Sequence, residues 1–256
     1  MNNRKLSNMT WQEFADNKDR ILIIPIGSTE QHGPHLPLSV DTIIAEHFAD
    51  LLAEKVGGVV APVLSYGYKS KPRSGGGPLF PGTIDLNGMT LQSLLVDLLL
   101  EYAADGYSKI FIMNAHFENE AFVEEAMDLA SRKVGDSARF VMSNWWDPVP
   151  QAQIDLLFDE VPFPGWALEH AAITETSLMM YFAPELVRKD KIENIRPITP
   201  PLYAEYPVRK DLIPETGVLA TAYSSSAEKG QIIVEAALPA LKKIAEASFG
   251  ADSIRV

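Results

Sequence analysis

Four short apolar runs set the strongest constraint on how this chain folds: ILIIPI at 21–26, VVAPVL at 59–64, KIFIM at 109–113 and RFVMS at 139–143. None alternates apolar with polar residues. A strand with one wet face alternates, whereas a strand covered on both faces reads as a continuous apolar run, as in a parallel sheet. Helical patterns separate the runs. In DTIIAEHFADLLAEKVGG, 41–58, Ile44, Phe48, Leu51 and Leu52 mark one face and Gly57 suits the end. Further helices are predicted over 90–106, 118–135 (acidic in its first turn, where the helix dipole favours carboxylates), 174–184 and 227–249, the last kinked at Pro239. Strand alternating with helix predicts an α/β domain with a largely parallel sheet.

A chain of 256 residues with no internal repeat predicts one domain, 1–256. Pro197, Pro200, Pro201, Pro207 and Pro214 mark an aperiodic stretch at 193–216, whose length suits a segment serving a site or an interface, with disorder as the alternative. The net charge of −12, with no basic block, argues against nucleic acid or an anionic membrane surface as partner. With no cysteine the chain has no disulfide, thiolate ligand, cysteine nucleophile or cysteine-held cluster. The polar start, MNNRKLSNMTWQEFADNKD, lacks the apolar segment of a signal peptide, and no run approaches the roughly 20 apolar residues of a membrane span. A soluble, cytoplasmic protein is the expectation.

Two strand ends carry the same spacing. The run at 21–26 leads to Glu30-Gln31-His32, and the run at 109–113 leads to His116-Phe117-Glu118. On extended backbone, i and i+2 side chains leave one face with Cα atoms about 6.6 Å apart, within reach of two metals about 3.5–4 Å from each other. Both pairs fall at the carboxyl edge of the predicted sheet, where open α/β folds build their sites. Asp41, at a predicted helix start, is a cap residue or a carboxylate bridging two cations. Imidazoles and carboxylates together suit Zn, Mn, Fe(II) or Co rather than Cu(I) or clusters. Of the other histidines, His47 reads as a surface or packing residue, His35 as a turn cap or a residue at the mouth of the site, and His170, beside Glu169, as a candidate catalytic group. SGGG at 74–77 lacks the Lys-Ser/Thr of a phosphate loop and reads as a lid or a close backbone contact. A two-metal phosphoesterase would need a cationic cluster, for which Lys69, Lys71 and Arg73 are the only candidates near these segments.

With these segments assembled, the chain resembles the creatininase (creatinine amidohydrolase) family. EQHGPH followed by VD, and NAHFEN, are similar to the family's two metal-binding segments, the second usually written NGHYEN. YGYKSKPRSGGGPLFPGTIDLNG at 66–88, WWD at 145–147, GWALEH at 165–170, ETSLM at 175–179 and EKG at 228–230 match in order. The resemblance implies a three-layer α/β/α sandwich, with a largely parallel or mixed sheet, and a homohexamer. It implies two divalent ions per chain, Zn or Mn first and Fe or Co next. Glu30, Asp41 and His116 would hold one; His32, Asp41 and Glu118 the other, with Asp41 bridging. Glu118 counts among the catalytic groups as well. Trp146 and Trp166 would flank a flat cyclic amide, Glu169 and His170 would lie beside it with His170 as proton carrier, and Glu175 would support that wall. Phe117, where the family pattern has Tyr, would touch the substrate. Ala115 in place of Gly and Ala167 in place of an acidic residue are the other departures. The implied reaction is hydrolysis of creatinine to creatine; the alternative is a related amidohydrolase acting on a formamide or another lactam.

Overall fold

The computed structural model describes residues 4–200 and 202–254. Pro201 and the first three residues of the polar N-terminus therefore lie outside the described residues. The predicted alternation is present: α1 (Trp11–Asp16), β1 (Leu22–Ile26), α2 (Val40–Val56), β2 (Val59–Val60), α3 (Gly88–Ala104), β3 (Lys109–Asn114), α4 (Glu120–Val134), β4 (Arg139–Asn144), α5 (Gln151–Leu157), α6 (Ile173–Phe182) and α7 (Ala227–Phe249). The strands form one parallel sheet in the order β2-β1-β3-β4.

Each face of the sheet has its own core. Leu22, Ile24, Ile26, Ile110 and Ile112 pack with Leu91, Leu95 and Leu99 of α3 and Val123 and Ala126 of α4. Ile21, Ile23, Phe111 and Met113 pack with α2, α6 and α7 through Phe48, Leu178, Leu238 and Leu241. Residues one apart in a strand thus face opposite layers, which is why β1 shows no polar alternation. A fully buried Ile or Leu contributes about 1.5–3 kcal/mol here. The result is helices on both sides of a parallel sheet, as expected.

The 59–64 run is less regular than predicted: β2 covers two residues, and Leu64 rejoins the sheet as an isolated bridge to Ile26. The cause is proline. Ala61 N–H donates to the Ile23 carbonyl and Leu64 N–H to the Pro25 carbonyl. Three residues on the edge thus match two on β1, a local bulge beside Pro25 and Pro62, neither of which has an N–H for the ladder. The short α1 and α5 were not foreseen, and α7 runs through Pro239 as one helix. Among the described residues no helix is long and apolar enough to cross a membrane.

Candidate metal centre

The carboxyl ends of β1, β3 and β4 converge on one buried cluster. After β1 the chain turns at Gly27 toward α2. A Cβ on Gly27 would lie 2.5 Å from the Asp41 carbonyl carbon. Only glycine lets the first turn of α2 approach this closely, and that approach brings Asp41 to the end of β1. Past β3, His116 has extended backbone, but Phe117–Asn119 form a 3₁₀ turn. The second pair is therefore not extended as its spacing suggested, and Glu118 points differently from Glu30. Buried asparagines fix this edge. Asn114 Nδ2 donates to the His116 carbonyl (2.8 Å) and to Asn144 Oδ1 (2.7 Å), and Asn119 Nδ2 donates to the Gly27 carbonyl (3.1 Å).

Asp41 divides its two oxygens between the two imidazoles. Oδ1 lies 3.0 Å from His32 Nε2 and Oδ2 lies 3.0 Å from His116 Nδ1, which is also 3.0 Å from Glu30 Oε1. The far nitrogen of each ring meets a backbone carbonyl: His32 Nδ1 that of Glu30 at 3.2 Å, and His116 Nε2 that of Tyr68 at 2.9 Å. A carbonyl only accepts, so the ring proton of each neutral histidine belongs there, and the bare nitrogen faces carboxylates. Glu30 Oε2, His32 Nε2 and Asp41 Oδ2 are buried without hydrogen-bond partners. Acceptors converging on acceptors in a dry site call for a cation. Without one, charge has to come from protons. Burial pulls the His32 imidazolium down, but Asp41 and Glu175 outweigh it and hold the ring well above its ordinary value. Burial is likewise outweighed at His116, by Glu30, Glu118 and Asp41. Asp41 is held well below the usual carboxylate range because His32 and His116 overcome its burial. The donor set and its orphaned atoms fit a divalent metal.

The structure does not bring every nominated ligand together. Glu30, Asp41 and His116 place ligand atoms within 4.8 Å of one another, as the first expected set requires. For the second set, His32 and Asp41 gather with Glu175 instead of Glu118; Glu175 Oε2 is 3.4 Å from His32 Nε2. Glu118 Oε1 accepts from Lys71 N–H (3.0 Å) and, through a very short bond, from Ser74 Oγ. Its other oxygen is 3.5 Å from His116 Nε2.

Above the cluster lies a narrow pocket. All the nominated residues line it except His32 and Asp41, which lie below; Ser74, Ala115 and Trp145 complete the wall. Phe117 stacks on Trp146 with centroids 6.0 Å apart, while Trp145 meets both Trp146 and Trp166 edge-on. Burial pushes the Glu169 carboxyl up to about 8, against the opposing bonds from Thr174 N–H and Oγ1, and its Oε1 is left without a partner. Burial takes the neighbouring His170 down to about 4. Glu175 Oε2 accepts from Ala171 N–H at 2.6 Å, bracing the turn that carries Glu169 and His170. His35 is a buried tie rather than a mouth residue, its Nε2 lying 2.9 Å from Thr176 Oγ1. His47 stacks on Phe182, the packing alternative of the two it was expected to take.

The family model for creatininase, described as creatinine amidohydrolase, matches residues 7–245. The chain belongs to the creatininase family. It is 38% identical over 235 residues to the creatinine amidohydrolase of Pseudomonas putida, covering 89% of this chain and 90% of that one. It is also 30% identical over 223 residues to the mycofactocin precursor peptide peptidase of Mycolicibacterium smegmatis, covering 83% and 79%. A mutant creatininase complexed with creatine superimposes with a TM-score of 0.94 at 36% identity, over 96% of this chain and 99% of that chain. A Zn-Zn form of the same kind of mutant gives 0.94 at 35%, over 97% and 99%, and a Mn creatininase 0.93 at 36%, over 96% and 98%. The chain is thus a creatininase-family hydrolase with the creatininase fold.

Several residues of this creatininase-like site were not singled out beforehand. Gln31, Ser74, Asn114, Asn119 and Trp145 all stand in segments quoted for other members. Their signal was available in part, because a polar residue ending a buried strand, such as Asn114, must find partners inside the protein.

Proposed function

We propose that the chain is a dinuclear, metal-dependent cyclic amidohydrolase that opens creatinine to creatine. The observation that carries this reading is the Asp41 carboxylate set between two imidazoles whose bare nitrogens face acceptors, directly below an aromatic-walled pocket. Glu30, Asp41 and His116 would hold one ion, and His32 and Asp41 the other, with Glu118 or Glu175 completing it. When bound, such ions polarise an amide carbonyl and supply hydroxide near neutral pH. Zn or Mn are the first candidates, as in the related structures, with Fe or Co next.

The chain's own residues do the rest. Trp146, Trp166 and Phe117 give a flat ring apolar faces and exclude water. The leaving nitrogen needs a proton, and the wall formed by Glu169 and His170 carries it; Glu169 enters protonated at neutral pH because its site is dry. Glu175 positions that wall and Glu118 stands at its base. The assembly is a homohexamer of single-domain chains, 1–256, in the cytoplasm, and neither nucleic acid nor membrane is a partner. These features follow the family resemblance and the acidic, cysteine-free composition.

A second reading is favoured by Phe117, which presents a ring without a hydroxyl to the pocket, and by the family's peptide-cleaving relative. It assigns the same centre to another amide. Creatine formation from creatinine by metal-stripped protein, reloaded with Zn²⁺ or Mn²⁺, decides between them. Metal-restored turnover supports creatinine as substrate; bound metal with no turnover moves the substrate to another amide.

A further inference from the structure

Gln31 stands between Glu30 and His32 in sequence, and its side-chain amide meets four groups. Oε1 accepts from the Gly33 N–H at 2.9 Å, while Nε2 lies 3.0 Å from the Gly75 carbonyl, 3.0 Å from the Gly217 carbonyl and 2.8 Å from His170 Nε2. The backbone partners decide which end of the amide is which. An N–H only donates and a carbonyl only accepts, so the NH₂ must face both glycine carbonyls and therefore His170. Packing holds it there: Gly217 adopts φ +75, and a Cβ on it would lie 2.2 Å from Gln31 Oε1. The two N–H groups are shared among three neighbours at 2.8–3.0 Å, and the NH₂ nitrogen accepts nothing, so His170 Nε2 has no partner there for a proton and presents its lone pair. The ring proton is then on Nδ1, which is 3.7 Å from Glu30 Oε1.

Resting on the reading of this cluster as a metal-dependent amidohydrolase site, we propose that Gln31 is a positioning residue fixing His170 in the tautomer protonated on Nδ1. His170 then turns an N–H, not a lone pair, toward Glu30. In that tautomer His170, whose ring is 4.3 Å from that of His32 and which gathers with Glu30 and His32, would offer these groups an N–H and not a third imidazole lone pair. A metal needs the bare nitrogen, and Gln31 has taken it. It also sets how His170 enters the reaction: as a hydrogen-bond donor through Nδ1. The same amide ties the SGGG segment at 74–77 and the residue that follows the proline-rich 193–216 stretch to the site, since the Gly75 and Gly217 carbonyls share its N–H groups.

The test is a long-range ¹H–¹⁵N correlation spectrum of ¹⁵N-histidine-labelled, Zn²⁺-loaded protein, with the His170 signals identified by their loss in His170→Ala. The expected result is protonated Nδ1 and bare Nε2 in the wild type. Gln31→Glu, close to isosteric but unable to donate, moves the proton to Nε2. Gln31→Leu gives a mixture of the two forms. Turnover in Gln31→Glu falls roughly 10–100-fold, in kcat more than KM, with melting temperature and zinc content retained. A wild-type ring protonated on Nε2 overturns the proposal whether or not the variants fold, and so does a Gln31→Leu spectrum identical to wild type. The spectrum needs no substrate. A protein with the expected tautomer that leaves creatinine intact loses the substrate assignment and keeps this one.

Discussion

One oxygen of Asp41 lies 3.0 Å from Nε2 of His32, a buried nitrogen that makes no hydrogen bond. The pair is close yet unsatisfied, as two ligands to a shared cation would be. Asp41→Asn keeps the shape and removes the charge that both imidazoles need. A ligand present at about 1,000 times its Kd stabilises the folded state by about 4 kcal/mol. Wild type should therefore melt several degrees higher with Zn²⁺ than after chelation, and Asp41→Asn should lose most of that gain together with its bound metal. An equal zinc-dependent rise in the variant would remove Asp41 from the centre.

Glu169 supplies a second prediction. Its carboxyl is raised to about 8 by burial, so it carries a proton at neutral pH and loses it on the alkaline side. If that proton goes to the leaving nitrogen, kcat/KM falls as pH rises through about 8. Glu169→Gln should lower kcat by roughly 10²–10⁴ and flatten the alkaline limb. Steady-state rates across the pH range check both; an unchanged alkaline limb in the variant assigns it to another group.

Much of this was legible in the sequence, for reasons visible in particular residues. The runs containing Ile24 and Ile112 could only be strands covered on both sides, because the sheet is buried by two helical layers. Glu30, His32, Asp41 and His116 stood at strand ends or a helix start, so topology alone brought them together. What spacing does not encode is the direction a side chain takes after the strand ends. Glu118 turns with a 3₁₀ turn toward Ser74, and Glu175 arrives from α6, far away in sequence, beside His32. Gln31 was hidden for the same reason, since its partners Gly75, His170 and Gly217 come from three separate segments.

His35 links stability to pH. Burial, reinforced by the charge of His32, lowers its ring from 6.5 to about 4 in the folded chain. Above the unfolded value both states are neutral and the ring contributes no pH dependence. Below it the unfolded chain takes up the proton first, so stability falls as pH drops from 6.5 toward about 4, by about 2 kcal/mol at about pH 5. Urea unfolding at about pH 7.5 and about pH 5 should show this loss, and the drop should be about 2 kcal/mol smaller in His35→Gln. Equal drops in the two proteins would mean that His35 titrates normally when folded.

Phe117, which lines the pocket, supplies a prediction about substrate selection. Its ring stacks on Trp146, lines the pocket and is 38% exposed, so a para-hydroxyl has room without disturbing the stack. The family motif carries Tyr where this chain carries Phe. One added hydrogen bond to the substrate contributes about 1 kcal/mol, or about fivefold in affinity. Phe117→Tyr should then raise kcat/KM for creatinine about fivefold, mainly through KM, while leaving simple formamides unaffected. A uniform change across both substrate classes would show that position 117 shapes the wall rather than selecting the amide. A fall for creatinine alone would mean that the pocket is fitted to a substrate presenting an apolar edge at this point, and would favour the other-amide reading.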